Sequence, residues 1–242
     1  MESVHQTLVL RAEAHRQTIE QNRSNGSGKS RAIIALAGPP GSGKSTVAEA
    51  VANRLNAGLE KPTTLILSTD GFHYPRATLD AMSNAAEAHA RRGVHWTFDA
   101  DGVVALARLL NETSQLSVTK LPTIRAPSFD HKLKDPVIDD VMISPDVTLV
   151  ILEGLWLLYD ETPWNQIQNL VDETWWIDVD KDLARWRVAE RHVHSGIETT
   201  LEAALRRVDA NDSLNGEMVR QKLVSPNVEF LTVGYTNIAA LN

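Results

Sequence analysis

The chain of 242 residues contains no cysteine, no long hydrophobic run and no excess of basic side chains. Without cysteine it has no disulfide bonds, thiol nucleophiles or thiolate zinc sites, which is typical of proteins in a reducing compartment. Its 31 acidic and 24 basic residues give a formal net charge of -7. An acidic chain repels nucleic acid and anionic membranes, so we expect neither as a partner. A local basic pocket for a small anion is still compatible with this net charge.

The apolar segments also argue against a membrane protein. Residues 147–158 form the strongest apolar run, but Glu153 interrupts it, and a membrane-spanning helix needs about 18 apolar residues in succession. At the N-terminus, Glu2 and Glu13 stand where a signal peptide has a basic start and a long apolar core. The sequence therefore predicts a cytoplasmic protein without a signal peptide.

Apolar patterning predicts an α/β fold, with a parallel sheet covered by helices on both faces. Short apolar runs typical of buried parallel strands occur at 32–37, 63–68, 147–152 and 174–179. Helical patterns lie between them, at 44–56, 100–112, 164–171, 181–193 and 198–209. We interpret the segment 75–136 as an inserted substrate-binding element.

The chain divides into two predicted parts. Residues 1–30 are expected to form an N-terminal helix, over 2–22, and a linker rich in Ser, Gly and Asn. Residues 31–242 are expected to form the main domain.

A glycine-rich loop follows the first predicted strand and matches G-x-x-x-x-G-K-[ST] in full, as GPPGSGKS at 38–45. Glycines let backbone N–H groups surround phosphate oxygens, and the N-terminus of the following helix adds positive potential. Lys44 is predicted to bridge the terminal phosphates, and the Ser45 hydroxyl to bind Mg²⁺. We expect nucleotide contacts from Gly38, Gly41, Ser42, Gly43, Lys44, Ser45 and Thr46.

A second GSGKS run at 26–30 lies upstream, but Arg23 stands where the motif requires its first glycine. No predicted strand precedes this run, so we interpret it as linker.

Two classes of nucleotide-binding protein find little support. GTPases carry N-K-x-D for guanine, which this chain lacks, and its D-x-x-G run at 99–102 is better interpreted as a helix start. Motor-type ATPases end a strand in aspartate followed by glutamate, whereas the strand here ends in Glu153-Gly154. This difference favours kinases.

The second predicted strand ends in STDGFHYP at 68–75. Because the carboxyl ends of parallel strands face one crevice, Asp70 is expected to lie across from the phosphate loop. A carboxylate there can accept the proton of an attacking hydroxyl as the γ-phosphoryl group leaves. Asp-Gly is also common in turns, so a structural role for Asp70 stays open.

The order of these motifs resembles the P-loop kinases that include uridine kinase, bacterial-type pantothenate kinase and phosphoribulokinase. The resemblance rests on the phosphate loop, on D-G-F-x-x-P, and on E-G after an apolar strand. It continues in PSFDH at 127–131, DP at 135–136 and RWRVAERH at 185–192. It covers most of 31–234 and leaves the N-terminal helix outside.

This resemblance implies the P-loop NTP hydrolase fold, ATP as phosphoryl donor and Mg²⁺ as metal cofactor. It implies that Asp70 is the catalytic base and that Glu153 lies near Mg²⁺, acting directly or through water. It also implies a mobile lid around 185–197, in which Arg187 and Arg191 close over the phosphates.

The spacing of Arg187 and Arg191 puts both on one helix face, where they can contact phosphoryl oxygens together. A solvated face, or one paired with Glu190, is the alternative. Gly196 is predicted to end this helix and to hinge the lid.

Residues near the proposed base are candidate contacts for the acceptor: His73, Tyr74, Arg125, Asp130 and His131. The first two follow Asp70 directly and the last two lie in a proline-bounded loop, so packing or turn roles are equally open. The Arg91-Arg92 pair before Gly93 is predicted to be a solvent-exposed helix end. The tryptophans are interpreted as packing residues rather than stacking platforms.

Together these features predict an enzyme, a kinase that transfers the γ-phosphoryl group of Mg·ATP in line to a hydroxyl group of a small metabolite. Catalysis would depend on Asp70, Lys44, Arg187 and Arg191. The acceptor is of nucleoside, vitamin or sugar type, and the lack of an evident basic cluster in 75–136 favours a weakly charged one. An ATPase or a nucleotide-dependent switch or interaction protein is the alternative, and a homodimer stays open.

Overall fold

The computed structural model describes residues 2–232 and contains a five-stranded sheet in the order β2-β5-β1-β6-β7, with every neighbouring pair parallel. Its strands are β1 (Ala32–Ala37), β2 (Thr64–Ser68), β5 (Leu149–Gly154), β6 (Glu173–Val179) and β7 (Val228–Thr232). An antiparallel hairpin outside this sheet consists of β3 (Ile124–Asp130) and β4 (Asp135–Ile143).

The helices lie between the strands in chain order. They are α1 (Glu2–Asn25), α2 (Lys44–Asn56), α3 (Arg76–Asp80), α4 (Ala85–Ala90), α5 (Ala100–Ser114), α6 (Lys181–His194), α7 (Leu201–Ala210) and α8 (Asp212–Gln221). Among the described residues, no helix is long and apolar enough to cross a membrane.

Two apolar cores cover the two faces of the sheet. On one face, α1 and α2 pack against β1 and β5, with Leu8 and Val51 fully buried. On the other face, α5 packs beneath the sheet, where Leu110, Trp156 and Trp176 are buried. Every residue of β1 and β5 is buried, which explains why β1 and the first four residues of β5 are apolar throughout. The predicted parallel sheet with helices on both faces is therefore confirmed.

The N-terminal helix α1 is part of this packing. Leu8 and Ala12 are 0% exposed, and the buried Glu173 of β6 accepts hydrogen bonds from Arg11 and, at 2.8 Å, from His15. Arg23 donates to the carbonyl oxygens of residues 30, 145 and 147. The helix thus contacts the sheet along much of its length.

Several boundaries differ from the sequence prediction. Helix α1 extends to Asn25, into the segment predicted as linker, and the predicted helix at 164–171 is a 3-10 helix over Trp164–Asn169. The segment 75–136 contains α3, α4, α5 and most of the hairpin. The prediction that 99–102 starts a helix is confirmed, because the Asp99 carboxylate accepts from the Gly102 amide at the start of α5.

Most tryptophans are packing residues, as predicted. Trp156, Trp164, Trp175 and Trp176 are at most 1% exposed. Trp186 of α6 differs from these four, because it is 42% exposed.

Candidate active site

The sheet order brings three predicted site residues to one edge. Strand β5 lies between β1 and β2, and its Glu153 pairs in register with Leu36 on one side and Ser68 on the other. The phosphate loop leaves the carboxyl end of β1, and Asp70 follows the carboxyl end of β2. Glu153 therefore lies between Lys44 and Asp70 at the edge where ligands bind in such sheets.

Tight packing explains the glycines of the phosphate loop. A methyl group on Gly38 would collide with the carbonyl oxygen of Ile177, and one on Gly41 would lie 2.7 Å from the carbonyl oxygen of Ala184. Gly41 and Gly43 have φ of 79° and 87°, which side chains rarely tolerate. Gly43 is the N-cap of α2, so the amides of the first turn face the loop without a competing side-chain cap.

The next residues add charge and oxygen ligands. The Nζ atom of Lys44 lies 3.7 Å from Oε1 of Glu153, and Ser45 and Thr46 are exposed in the first turn of α2. Burial raises the pKa of Glu153, the positive charge of Lys44 opposes that rise, and the negative charge of Asp70 adds to it. A hydroxyl and a carboxylate are oxygen donors of the kind Mg²⁺ prefers, so Ser45 and Glu153 fit such an ion.

Asp70 lies in a 3-10 turn over Thr69–Phe72. Its amide donates to the Ser68 hydroxyl at 3.2 Å, and its carbonyl oxygen accepts from Nδ1 of His73 at 2.8 Å. Gly71 packs so closely on β3 that a methyl group would collide with the carbonyl oxygen of Pro127. The turn is thereby held against the hairpin, and these contacts do not use the carboxylate of Asp70.

An aromatic cluster adjoins this turn. The ring of His73 lies 3.9 Å from that of Phe98 and 5.1 Å from that of Phe129, between centroids. Burial lowers the pKa of His73, so its imidazole is neutral at pH 7, and Nδ1 carries the proton because it donates to a carbonyl oxygen. His131 contacts the edge of Phe129 at 5.3 Å. Burial and the charges of Asp99 and Asp101 raise the pKa of Tyr74.

Two other candidate contacts for the acceptor, Arg125 and Asp130, form hydrogen bonds within the hairpin. Arg125 is exposed and donates to the carbonyl oxygen of Asp139 at 3.1 Å. The Asp130 carboxylate accepts from the amides of Lys132 and Leu133 at 2.7 and 3.0 Å, which also lowers its pKa. The structure thus brings His73 and His131 together around Phe129. Arg125 and Asp130 instead bind backbone groups of the hairpin.

The two arginines predicted for the lid differ in environment. Arg187 of α6 donates to the carbonyl oxygen of Gly41 in the phosphate loop at 3.1 Å, and Arg191, one turn later, is exposed. Helix α6 ends at His194, and Gly196 follows with a φ of 69°. Arg187 therefore contacts the phosphate loop, next to which its predicted role would place it.

The second GSGKS run has a different role. Lys29 donates to Asp172 at 2.6 Å and to Asn111 at 3.3 Å. Asp172 in turn accepts from the amide of Ile33 at the start of β1. These bonds tie the run to the opposite end of the sheet from the phosphate loop, where it links α1 to β1.

The comparisons with known proteins agree with this geometry. A model of the phosphoribulokinase/uridine kinase family matches residues 33–207. The chain belongs to this family. Its membership confirms the resemblance stated from the motifs, and it supports an ATP-dependent kinase activity on small metabolites. Helix α1 lies outside the matched residues.

Individual relatives are kinases by name. A Schizosaccharomyces pombe protein, C227.14, named as a candidate uridine kinase, is 39% identical over 198 residues, which cover 82% of each chain. ATP-dependent kinase-like protein notR' of Aspergillus versicolor is 46% identical over 155 residues, 64% of this chain and 88% of that protein. The crystal structure of YFH7 from Saccharomyces cerevisiae has a TM-score of 0.81 at 24% identity, covering 95% of this chain and 99% of that one, and shows the same P-loop kinase fold.

The prediction that Arg91 and Arg92 form a solvent-exposed helix end is wrong. Arg91 donates to Asn211 at 3.0 Å and to Asn215 at 2.9 Å, and only 17% of the Arg92 side chain is exposed. Asn211 and Asn215 lie one helical turn apart, a spacing that lets both bind one partner. That partner lies about 120 positions away, and a local pattern cannot identify it.

Proposed function

We propose that this family member transfers the γ-phosphoryl group of Mg·ATP to a hydroxyl group of a small metabolite, with Asp70 as the base. The observation that carries the proposal is the position of Glu153 between Lys44 and Asp70 at the carboxyl edge of the sheet. A phosphate-binding lysine and a free carboxylate on either side of one acidic residue suit a donor phosphate that faces an acceptor hydroxyl.

Asp70 orients the acceptor hydroxyl and accepts its proton as the new O–P bond forms. Its backbone holds the turn through Ser68 and His73, so the carboxylate is left for the substrate. The proton moves from the acceptor oxygen to the Asp70 carboxylate, and the bond between the γ-phosphorus and the β–γ bridging oxygen breaks. Proton transfer of this kind contributes about 10²–10⁴-fold to the rate.

The donor phosphates are bound by the loop amides, by Lys44 and by the arginines of α6. Arg187 exchanges its bond to the Gly41 carbonyl oxygen for a phosphoryl oxygen, and Arg191 approaches from the next helical turn. Mg²⁺, when bound by Ser45 and Glu153, supplies positive charge to the phosphate oxygens. Fixed positive charge around the phosphoryl group is the main catalytic resource in such reactions.

The acceptor binds beside Asp70 against the aromatic cluster of His73, Phe98 and Phe129, with Tyr74 and His131 at its border. Neutral His73 presents Nε2 as a hydrogen-bond acceptor, which suits a hydroxyl or amide donor. Nucleosides, vitamins and sugars carry such groups. The name of the Schizosaccharomyces pombe relative makes uridine the first compound to test.

The test is Mg·ATP-dependent ADP release across a panel of nucleosides, vitamins and sugars, with wild type and Asp70→Asn in parallel. The control is Asp146→Asn, an exposed aspartate before the opposite end of β5 that pairs only loosely with Lys61 at 3.6 Å. We expect one compound to raise ADP release in wild type and in Asp146→Asn, and about 10²–10⁴-fold less in Asp70→Asn.

Two results would contradict this proposal. Full turnover in Asp70→Asn would remove Asp70 from the role of base. Slow ATP hydrolysis that no compound in the panel accelerates would favour the ATPase or nucleotide-dependent switch.

A further inference from the structure

Arg91 and Arg92, which we call the arginine bridge, contact two separate parts of the molecule. Arg91 binds the junction of α7 and α8: its Nε donates to Asn211 and one terminal nitrogen donates to Asn215, which is 3% exposed. The amide of the Asn211 side chain donates back to the carbonyl oxygen of Arg92 at 3.0 Å. Three hydrogen bonds thus join the bridge to the start of α8.

Helix α8 in turn packs against the phosphate loop. A methyl group on Gly216 would lie 3.2 Å from Cβ of Pro39, so the helix and the loop are in direct contact. Arg220 holds the end of β6 through Asp178 at 2.8 Å, and Glu217 pairs with Lys181 of α6 at 2.6 Å. The phosphate loop, the end of β6 and α6 are therefore all in direct contact with α8.

Arg92 binds the acceptor side. Its terminal nitrogens donate to the carbonyl oxygens of Tyr74, at 2.9 Å, and Lys134, at 2.5 Å, and to the Asp135 carboxylate at 3.0 Å. The guanidinium carbon lies 5.6 Å from the centre of the Phe129 ring. Arg92 thereby fastens the segment after Asp70 to the turn of the β3–β4 hairpin.

The backbone next to the arginine bridge is held by the core. Gly93 follows them with a φ of 106°, and its carbonyl oxygen accepts from Nε1 of Trp156 at 3.0 Å. Trp156 is fully buried and stands three residues after Glu153. The bridge is therefore anchored to the core at the residue that follows it.

We propose that the arginine bridge couples the two substrate sites, so that a nucleotide in the phosphate loop orders the hairpin over Asp70 through α8, Arg91 and Arg92. The proposal rests on the proposed function. Arg187 now binds the Gly41 carbonyl oxygen and would turn to the phosphates, which moves α6 and, through Lys181 and Glu217, α8. Arg91 and Arg92 are positioning residues in this scheme, because they act on the acceptor side through Tyr74 and the hairpin.

Hydrogen exchange measured by mass spectrometry tests this coupling, with Mg·ADP as the probe and no acceptor needed. In wild type, Mg·ADP is expected to slow exchange both in peptides of the phosphate loop, 38–46, and in the hairpin, 124–143. Coupling between sites corresponds to about 5- to 150-fold, so we expect the hairpin to slow by at least about 5-fold. In Arg91→Gln the loop response should persist and the hairpin response should be lost.

Arg108→Gln is the matched control, since Arg108 is an arginine of α5 that donates to Gln166 and contacts neither side of the bridge. It should respond as wild type does. Arg92→Gln breaks the acceptor half of the bridge and should give the same loss as Arg91→Gln, which keeps the test decisive if one variant does not fold.

The outcomes are separable. A protected loop with an unchanged hairpin in wild type overturns the coupling and leaves the proposed function standing. A full hairpin response in Arg91→Gln or Arg92→Gln also overturns it. A wild-type loop that Mg·ADP does not protect rejects nucleotide binding, and with it both proposals.

Discussion

Gly154 packs directly on Thr69, so closely that a methyl group on Gly154 would overlap the Thr69 hydroxyl oxygen. This contact connects the end of β5, where Glu153 lies, with the turn that carries Asp70. This contact explains why a glycine follows Glu153, because a larger residue would collide with Thr69. The pairing of β5 with its neighbouring strands does not itself require a glycine at this position.

Gly154→Ala is therefore expected to displace the turn of Asp70 and to lower turnover about 10²-fold, because a misplacement of roughly 1 Å has such an effect. Adding Thr69→Ala removes the hydroxyl and methyl groups but leaves Cβ 3.0 Å away, so recovery should be partial. The measurement is turnover with the acceptor found in the panel. Unchanged turnover in Gly154→Ala would show that the turn adapts.

Lys44→Met is expected to abolish the increase in melting temperature that Mg·ADP produces in the wild-type protein. A ligand at 100 times its Kd adds about 2.7 kcal/mol to the free energy of unfolding, so the wild-type shift is easily measured. The chain supplies its own control in Lys29→Met, the lysine of the second GSGKS run, which binds Asp172. Lys29→Met should be less stable without ligand but should keep the Mg·ADP shift. Loss of that shift in Lys29→Met alone would contradict the choice of loop.

Leu8→Ala in α1 is expected to lower the free energy of unfolding by about 2–5 kcal/mol, because Leu8 is completely buried and alanine leaves a cavity. Leu10→Ala, on the same helix but 61% exposed, should change it by less than about 0.5 kcal/mol. Urea unfolding measures both. Equal, small effects would mean that α1 does not contribute to the stability of the sheet.

Glu173 provides a prediction of pH dependence. Burial alone would raise its pKa, but hydrogen bonds from His15 and Arg11 and the charge of Arg11 outweigh burial, so its pKa lies below the ordinary value of about 4.3. A carboxyl group with a lowered pKa stabilises the fold above its unfolded pKa, and that stabilisation is lost as the pH falls through the folded pKa.

Glu173→Gln should therefore destabilise the protein by about 1–3 kcal/mol at pH 7, and the difference from wild type should shrink below about pH 4. Unfolding curves between pH 3 and pH 7 measure this, with the more exposed Glu13→Gln as control. A difference that stays constant down to pH 3 would contradict the role of the Glu173 charge.

The sequence predicted those parts of the molecule that depend on short-range patterns. The strand at 32–37 and the helix at 44–56 have the predicted bounds, since a buried apolar run and a phosphate loop define both ends locally. Asp70 was also expected across from the phosphate loop, and it does follow the carboxyl end of β2, at the same edge of the sheet as the carboxyl end of β1.

The parts that could not be predicted depend on contacts between distant segments. Arg91 meets Asn215 only after the chain has passed through most of the sheet, and a pair of arginines before glycine has the same composition as an exposed helix end. The packing of α1 was missed for a related reason: its buried residues Leu8, Ala12 and Ile19 are few and widely spaced among polar ones. Gly71 and Gly154 are explained only by Pro127 and Thr69, which approach from other elements.

The exposure of Trp186 gives the molecule an optical signal of its own. It lies between Arg185 and Arg187 on the helix that contacts the phosphate loop, whereas four other indole rings are at most 1% exposed. An exposed indole fluoresces at longer wavelength than a buried one, so a change in the surroundings of α6 shifts this emission, to which the half-buried Trp96 adds its own. Trp186→Phe would remove the shift, and titration with nucleotide could then be followed in real time without attaching a dye.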